Sequence, residues 1–533
     1  MSPSLVNVDD TNCYLDTRGQ TVSPLPFSKA IIQGLADGGG LFVPQKLPDL
    51  TIDDIVGLAE LPYARQAAKV YSWFGVDFTD SQIETLMQVS YGDNFASPDI
   101  APVVEAAPYT YMLELTHGPT AAFKDLALQC LPNFFSAALE KAPDFTAADA
   151  PLSDIPLHLM LVATSGDTGS AALAGFKDRD HTGVIVYYPQ DGVSATQKHQ
   201  MTAADGNNLG VFAVAGNFDD CQTAVKAVFN DSAFAALLAK RNVYLSSANS
   251  INWGRLLPQI VYYVSAYAKL VAQGALQAGQ KIDVCVPTGN FGNILAAWYA
   301  REIGTPIEQL YCASNENHVL TDFINTGTYD ISNRSFSITP SPSMDILVSS
   351  NLERQLYELN GHNPESIRQW MSDLNNQRSF RVDEGTFAAL RKDFRADWID
   401  NEDSLATIRE VWAAHQYLLD PHTAVAWKVA ERLRPTPETP VLVVSTAHWA
   451  KFADDVYRAL NGLTASAALP PEVAGLSSSE LIGLIQKQCP SALIPRPLAE
   501  LDGRKIRFKE TVTGTLESLE QSIIAWLTRL SID

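Results

Sequence analysis

Lys124, set between Phe123 and Asp125 in the stretch HGPTAAFKDLALQ (residues 117–129), is the residue of this chain best placed to act as a nucleophile. A short apolar run at 111–115 reads as a strand, and Gly118-Pro119 must turn the chain after it. Beyond the turn Phe123, Ala127, Leu131, Phe134, Phe135 and Ala138 recur at three- and four-residue spacing, which predicts a helix with either a kink or an early first turn at Pro132. Lys124 therefore stands where a strand gives way to a helix. A helix N-terminus and apolar neighbours both lower an amine from its ordinary pKa of about 10.4. A lowered amine is what attack on a carbonyl and a Schiff base require. On position alone a solvated surface lysine fits as well, so the loops downstream carry the decision.

Three of those loops could hold anions. ATSGDTGSAALAGF (163–176) follows an apolar run and opens a helix, leaving the amides of Ser165 to Gly169 as a cradle for carboxylate or phosphate, or as no more than a tight turn. PTGNFGNILAAW (287–298) repeats the plan with Gly289, Asn290, Phe291, Gly292 and Asn293, and it is not a dinucleotide fingerprint. SSANSINWGRL (246–256) gathers Asn249, Ser250, Asn252 and Arg255 into one turn, where the arginine offers a planar, permanently charged fork. Thr446, at the end of the run VLVVST, is a backbone cap unless a heteroaromatic nitrogen lies against it.

The elements that must position these loops read as α/β. Nearly continuous apolar strands are expected at 157–163, 184–189, 210–216, 283–287, 309–314 and 441–446, with helices at 170–177, 218–229, 254–272 and 293–302. That rhythm predicts parallel sheets flanked by helices, with ligands beyond the carboxyl ends of the strands. Ahead of this region, helices are expected at 27–35 and 52–70, and 38–44 reads as a turn into a short strand. The acidic stretch 392–404 reads as solvated surface, residues 462–479 as a linker, and 515–530 as a final helix. The expected division is an N-terminal domain over 1–100, a catalytic region of two subdomains over 101–462, and a linker with a small extension over 463–533.

A net charge of −22 argues against nucleic acid or an anionic membrane as partner, and it obliges any anionic substrate to find a locally basic pocket. Cys13, Cys130, Cys221, Cys285, Cys312 and Cys489 are scattered without metal-ligand spacing, which suits reduced thiols and predicts no metal site. The N-terminal residues are polar and acidic, with no leader pattern, and no apolar run reaches spanning length. The expectation is a cytoplasmic protein, monomeric or homodimeric.

In order, HGPTAAFKDLALQ, ATSGDTG, SSANSIN with Arg255, GNFGN, DPHTAVA and the STAH strand end resemble the threonine synthase family of fold-type-II pyridoxal-phosphate enzymes. The resemblance covers about residues 15 to 460, and QGLADGGGLFVP near the start is similar to the N-terminal domain of its longer subclass. HGPTxAFKD together with SGDTG separates this family from dehydratases and cysteine synthases. The resemblance implies a tryptophan-synthase-β-like fold and a carbon–oxygen lyase acting on phosphates. It implies that Lys124 carries pyridoxal 5'-phosphate, that Gly289, Asn290, Phe291 and Asn293 hold its phosphate, and that Thr446 meets its ring nitrogen. It also implies that Thr164, Ser165, Asp167 and Thr168 line the substrate end, and that Asn249, Ser250 and Arg255 receive a substrate phosphate. Asp167 departs from the wider pattern, in which many relatives carry Asn beside the cofactor's phenolic oxygen. The expected reaction is O-phospho-L-homoserine and water to L-threonine and phosphate. A lyase stopping at 2-oxobutyrate and a non-catalytic binding protein of the same fold are the alternatives.

Overall fold

The computed structural model describes residues 11–141, 155–190 and 192–532. Residues 1–10, part of the N-terminal stretch read above as free of a leader pattern, lie outside them. Two sheets carry the architecture. The first runs Phe394–Trp398, Ile307–Ser314, Ile282–Pro287, Val441–Ser445, Thr110–Glu114, Val103–Ala107, and only its last strand is antiparallel to its neighbour. The second runs Thr511–Thr513, Leu209–Ala215, Thr182–Pro189, Leu157–Ala163, Val243–Ser246, parallel throughout. This is the expected arrangement of parallel sheets between helices. Their central strands are buried end to end, the reason they read as unbroken apolar runs.

The helix Trp253–Ala272 runs through the interior with Trp253, Leu257, Val261, Val264 and Ala268 all buried. It is capped by Asn252, whose Oδ1 accepts from the Gly254 amide at 2.9 Å while its side-chain amide donates to the Ile31 carbonyl at 2.8 Å. The N-terminal helices share this core. Phe27, Tyr71 and Phe78 meet Phe134, which lies on the helix Leu131–Lys141 just beyond Lys124. A small antiparallel sheet of Cys13–Asp16, Leu25–Pro26 and Phe42–Pro44 closes that end. Among the described residues no helix is long and apolar enough to cross a membrane.

Two local expectations are corrected. The helix expected over 52–70 is broken into Ile52–Val56, a 3-10 turn Gly57–Glu60 and Tyr63–Trp73, because Pro62 cannot continue a helix from its N-terminal side. Of the two alternatives at Pro132 the structure takes the early first turn: the run breaks at Gln129–Cys130, and Pro132 sits in the first turn of the second helix, where its missing N–H costs nothing. The acidic stretch 392–404 holds the strand Phe394–Trp398, paired with Ile307–Ser314, and its Phe394 and Ala396 are buried.

Residues 463–532 are built into both halves. The helix Ser478–Gln488 puts Leu481, Ile482 and Ile485 into the core behind the first sheet. Thr511–Thr513 adds an edge strand to the second sheet, and Leu516–Arg529 covers its face. There Trp526 lies over Gly183 and Gly210, where a Cβ at either position would overlap the indole.

Candidate active site

The Lys124 turn is held against the end of the strand Val441–Ser445. The Phe123 amide donates to the Thr446 carbonyl at 2.8 Å, the His448 amide to the Ala121 carbonyl at 3.0 Å, and Ala122 bridges to Ala447. Within the turn the Asp125 carboxylate accepts from the Thr120 amide at 2.8 Å and the Thr120 hydroxyl at 2.7 Å. Burial nevertheless pushes Asp125 up to about 6. Gly118 is required here, since a Cβ would overlap the Asp125 side chain. Lys124 and Thr446 are thus set side by side by backbone pairing.

Partly buried, the Lys124 amine donates to Ser343 Oγ at 3.4 Å. Burial lowers it to about 8; Asp167 opposes the shift, and Arg255 and Lys451 reinforce it. The amine therefore shares its surroundings with one carboxylate and two other cations.

Asp167 opens the helix Asp167–Phe176 and is almost wholly buried. Its Oδ1 pairs with Lys451 Nζ at 2.8 Å and accepts from Gln197 Nε2 at 2.8 Å, while its Oδ2 accepts from the Ser343 hydroxyl at 2.9 Å. Burial alone would raise this carboxyl, but Lys451 and Lys124 hold it well below the usual carboxylate range. It is an anion. The rest of the loop is folded on itself, since the Thr164 hydroxyl accepts from the Gly166 and Gly169 amides at 2.9 Å each. Those two amides are consequently committed, contrary to the expectation of a fully open cradle, and the Thr164 hydroxyl faces its own loop. Ser165 and Thr168 remain partly exposed.

Arg255 is 2% exposed, on the first turn of the interior helix. One guanidinium nitrogen donates to the Ala248 carbonyl, its Nε has no partner, and no acidic side chain among the described residues pairs with it. Burial lowers it to about 10, so it stays charged at neutral pH. A buried cation without a counter-ion is costly, and an arriving anion removes that cost.

The glycine loop lies close by. Phe291 adopts left-handed backbone (φ 63°) to enter the helix Gly292–Glu302, and its ring is buried 5.6 Å from Phe394. A Cβ on Gly289 would come within 2.9 Å of the Ser343 carbonyl oxygen, so only glycine allows these two backbones to approach. Asn293 Oδ1 accepts from the hydroxyls of Tyr262 and Tyr263, at 2.5 and 2.6 Å, leaving its buried amide nitrogen without a partner among the described residues. The Ser350 hydroxyl lies 3.5 Å from that of Ser250 and 3.3 Å from Asn290 Oδ1, tying this loop to the turn at 249–252. Beneath both, the buried Arg354 donates to the carbonyls of Phe42, Ser250 and Ile251 and to Asn351 Oδ1. Asn249 is partly exposed in the same turn.

Every expected site residue thus belongs to one cluster of loops at the carboxyl ends of strands. Sequence reasoning missed Lys451, Ser343, His422, Gln197 and Arg354. Lys451 lies three residues beyond the STAH strand end, and His422 within DPHTAVA, so for those two a signal was present without a role.

Family models match three stretches: the threonine synthase N terminus at residues 13–91, the pyridoxal-phosphate-dependent enzyme family at 97–447, and the threonine synthase C-terminal region at 423–481. The chain is 42% identical to human threonine synthase-like 1 over 467 residues, 85% of this chain and 61% of that protein. It therefore spans under two thirds of the length of that relative. It is 37% identical to the threonine synthase of Pseudomonas aeruginosa, over 88% of this chain and 94% of that one. The crystal structure of PLP-bound threonine synthase from Brucella melitensis superposes with a TM-score of 0.81 at 34% identity, covering 97% of this chain and 99% of the other.

Proposed function

The chain belongs to the threonine synthase family of enzymes that use pyridoxal phosphate, and we propose that it converts O-phospho-L-homoserine and water to L-threonine and phosphate. The observation that carries this reading is Arg255, a fully charged and uncompensated cation buried near the lowered amine of Lys124. In a protein of net charge −22, Lys124, Arg255 and Lys451 gather beside the buried carboxylates Asp167 and Asp125, a local exception that suits two anionic groups, one on the cofactor and one on the substrate.

The residues present fit the cofactor. The unpartnered amide of Asn293 and the amides around Gly289–Gly292 would hold its phosphate, Lys124 would attach it, and Thr446, in place beside the Lys124 turn, would face its ring nitrogen. When bound, the cofactor supplies a conjugated ring that withdraws electrons from the substrate's α-carbon. The partly exposed Ser165 and Thr168 would meet the substrate carboxylate, and Arg255 with Asn249 and Ser250 its phosphate. Each charge-assisted hydrogen bond there contributes about 1.5–3 kcal/mol. Arg255 would stabilise the phosphate as it leaves Cγ. Lys124 Nζ, lowered to about 8, changes protonation near neutral pH and is suited to exchange protons at Cα and Cβ. Asp167, kept ionised by Lys451, opposes part of that lowering and keeps the amine from falling further.

The test is product analysis. Purified, cofactor-replete protein given O-phospho-L-homoserine should release phosphate and L-threonine in equal amounts. Phosphate with 2-oxobutyrate would assign a lyase that stops early, and neither product would overturn the reading.

A further inference from the structure

Ser343 belongs to no sequence motif that pointed to chemistry, yet it touches four parts of the site. Its hydroxyl donates to Asp167 Oδ2 at 2.9 Å and accepts from Lys124 Nζ at 3.4 Å. Its carbonyl lies over Gly289 closely enough to exclude a side chain there. Its amide donates to His422 Nε2 at 3.1 Å. That acceptor role assigns the ring proton to Nδ1, which donates to Asp420 Oδ1 at 2.8 Å. Both members of this pair are buried, and His422 is further fixed by the edge of Phe452, 4.8 Å between ring centroids.

The turn that carries Ser343 is rigid for its own reasons. Asn315 Nδ2 donates to Thr339 Oγ1 and to Asp345 Oδ1, at 2.8 Å each, and the Thr339 hydroxyl donates to the same carboxylate oxygen at 2.7 Å. Asn317 Nδ2 adds a further bond to it at 2.9 Å. A serine on an exposed turn would need none of this. Here a turn from one part of the chain is anchored on both flanks and delivers a single hydroxyl between the amine and the carboxylate.

We infer that Ser343 is a further catalytic residue, a fixed hydroxyl station for the Lys124 amine, and that Asp420 and His422 are the residues that position it. The inference rests on Lys124 being the reactive amine. Because the Ser343 hydrogen is committed to Asp167, its oxygen can only accept from Lys124, so it orients the protonated amine and stabilises it. Without the hydroxyl the amine keeps its four-carbon freedom and loses one acceptor.

The test is a double-mutant cycle on the full-length protein with Ser343→Ala, His422→Asn and both together. Asparagine keeps a donor for Asp420 and cannot reach the Ser343 amide. Two readouts are taken: steady-state kinetics with O-phospho-L-homoserine, and the pH midpoint of pyridoxal phosphate incorporation into cofactor-stripped protein. Ser343→Ala is expected to lower kcat by about 10–100-fold, with KM within about threefold, and to move the incorporation midpoint to lower pH. His422→Asn should shift both in the same direction by less, and should add nothing once Ser343 is alanine. Ser343→Thr, which retains a hydroxyl, should restore most of kcat. An unchanged kcat and midpoint in Ser343→Ala, or a His422→Asn loss of equal size in both backgrounds, overturns the inference. If the protein makes no threonine at all, the reaction reading fails, while the midpoint still reports on Ser343.

Discussion

Lys451 Nζ sits 2.8 Å from Asp167 Oδ1, with the two side chains 0% and 2% exposed, and the same amine donates to the Thr120 carbonyl at 2.8 Å. One lysine therefore joins the turn before Lys124 to the helix that starts at Asp167. It also holds ionised a carboxylate that burial alone would favour protonating.

Breaking that pair from one side should be expensive. Lys451→Met leaves a buried carboxylate without its partner, and a loss of about 3–5 kcal/mol is expected in urea unfolding. Adding Asp167→Asn should recover most of it. Asp167 is held below the usual carboxylate range, so the pair's contribution is present in full above about pH 4 and fades only as pH falls further.

Arg255 predicts a trade of stability against function. Its burial is uncompensated, so Arg255→Leu should leave the unfolding midpoint unchanged or raised, while kcat/KM for the phosphorylated substrate falls by about 100-fold or more. Absorbance of the bound cofactor should persist. A variant that loses stability and keeps kcat/KM would contradict an anion-receiving role.

The lowered Lys124 amine predicts a pH dependence for cofactor attachment. Only the neutral amine attacks an aldehyde, so the incorporation rate should rise about tenfold per pH unit below the amine's pKa and level off near pH 8. An ordinary exposed lysine would keep rising to about pH 10.4. Stopped-flow mixing with pyridoxal phosphate across pH 6–10, about the range needed, separates the two.

Trp526 tests whether the C-terminal extension belongs to the core. The indole is 2% exposed over Gly183 and Gly210 on two central strands. Trp526→Ala should cost about 3–5 kcal/mol in chemical unfolding, the range for emptying a large aromatic site. A change below about 1 kcal/mol would show the tail to be a dispensable cover.

Much of the fold was legible because both central sheets are buried on two faces, so runs such as 157–163 and 283–287 stand out as unbroken apolar strings. The site loops were legible for a related reason: glycine and small polar residues between a strand and a helix leave few other uses for the backbone amides. Ser343, His422 and Lys451 were not, because each acquires its role from a partner between 79 and 284 residues away, and no local spacing encodes such a meeting. The strand Phe394–Trp398 was hidden by its position at the sheet edge, where alternate residues face outward and carry charge. The extension was obscured by its Ala, Pro and Ser content, which resembles a linker until Thr511–Thr513 finds the open edge of the second sheet.

Borohydride reduction of cofactor-replete protein, followed by peptide mapping by mass spectrometry, tests the central claim most directly. The pyridoxyl adduct should be found on Lys124 alone, on the peptide that follows His117-Gly118-Pro119. An adduct on Lys451 or any other lysine, or none in protein that absorbs as cofactor-bound, would contradict it.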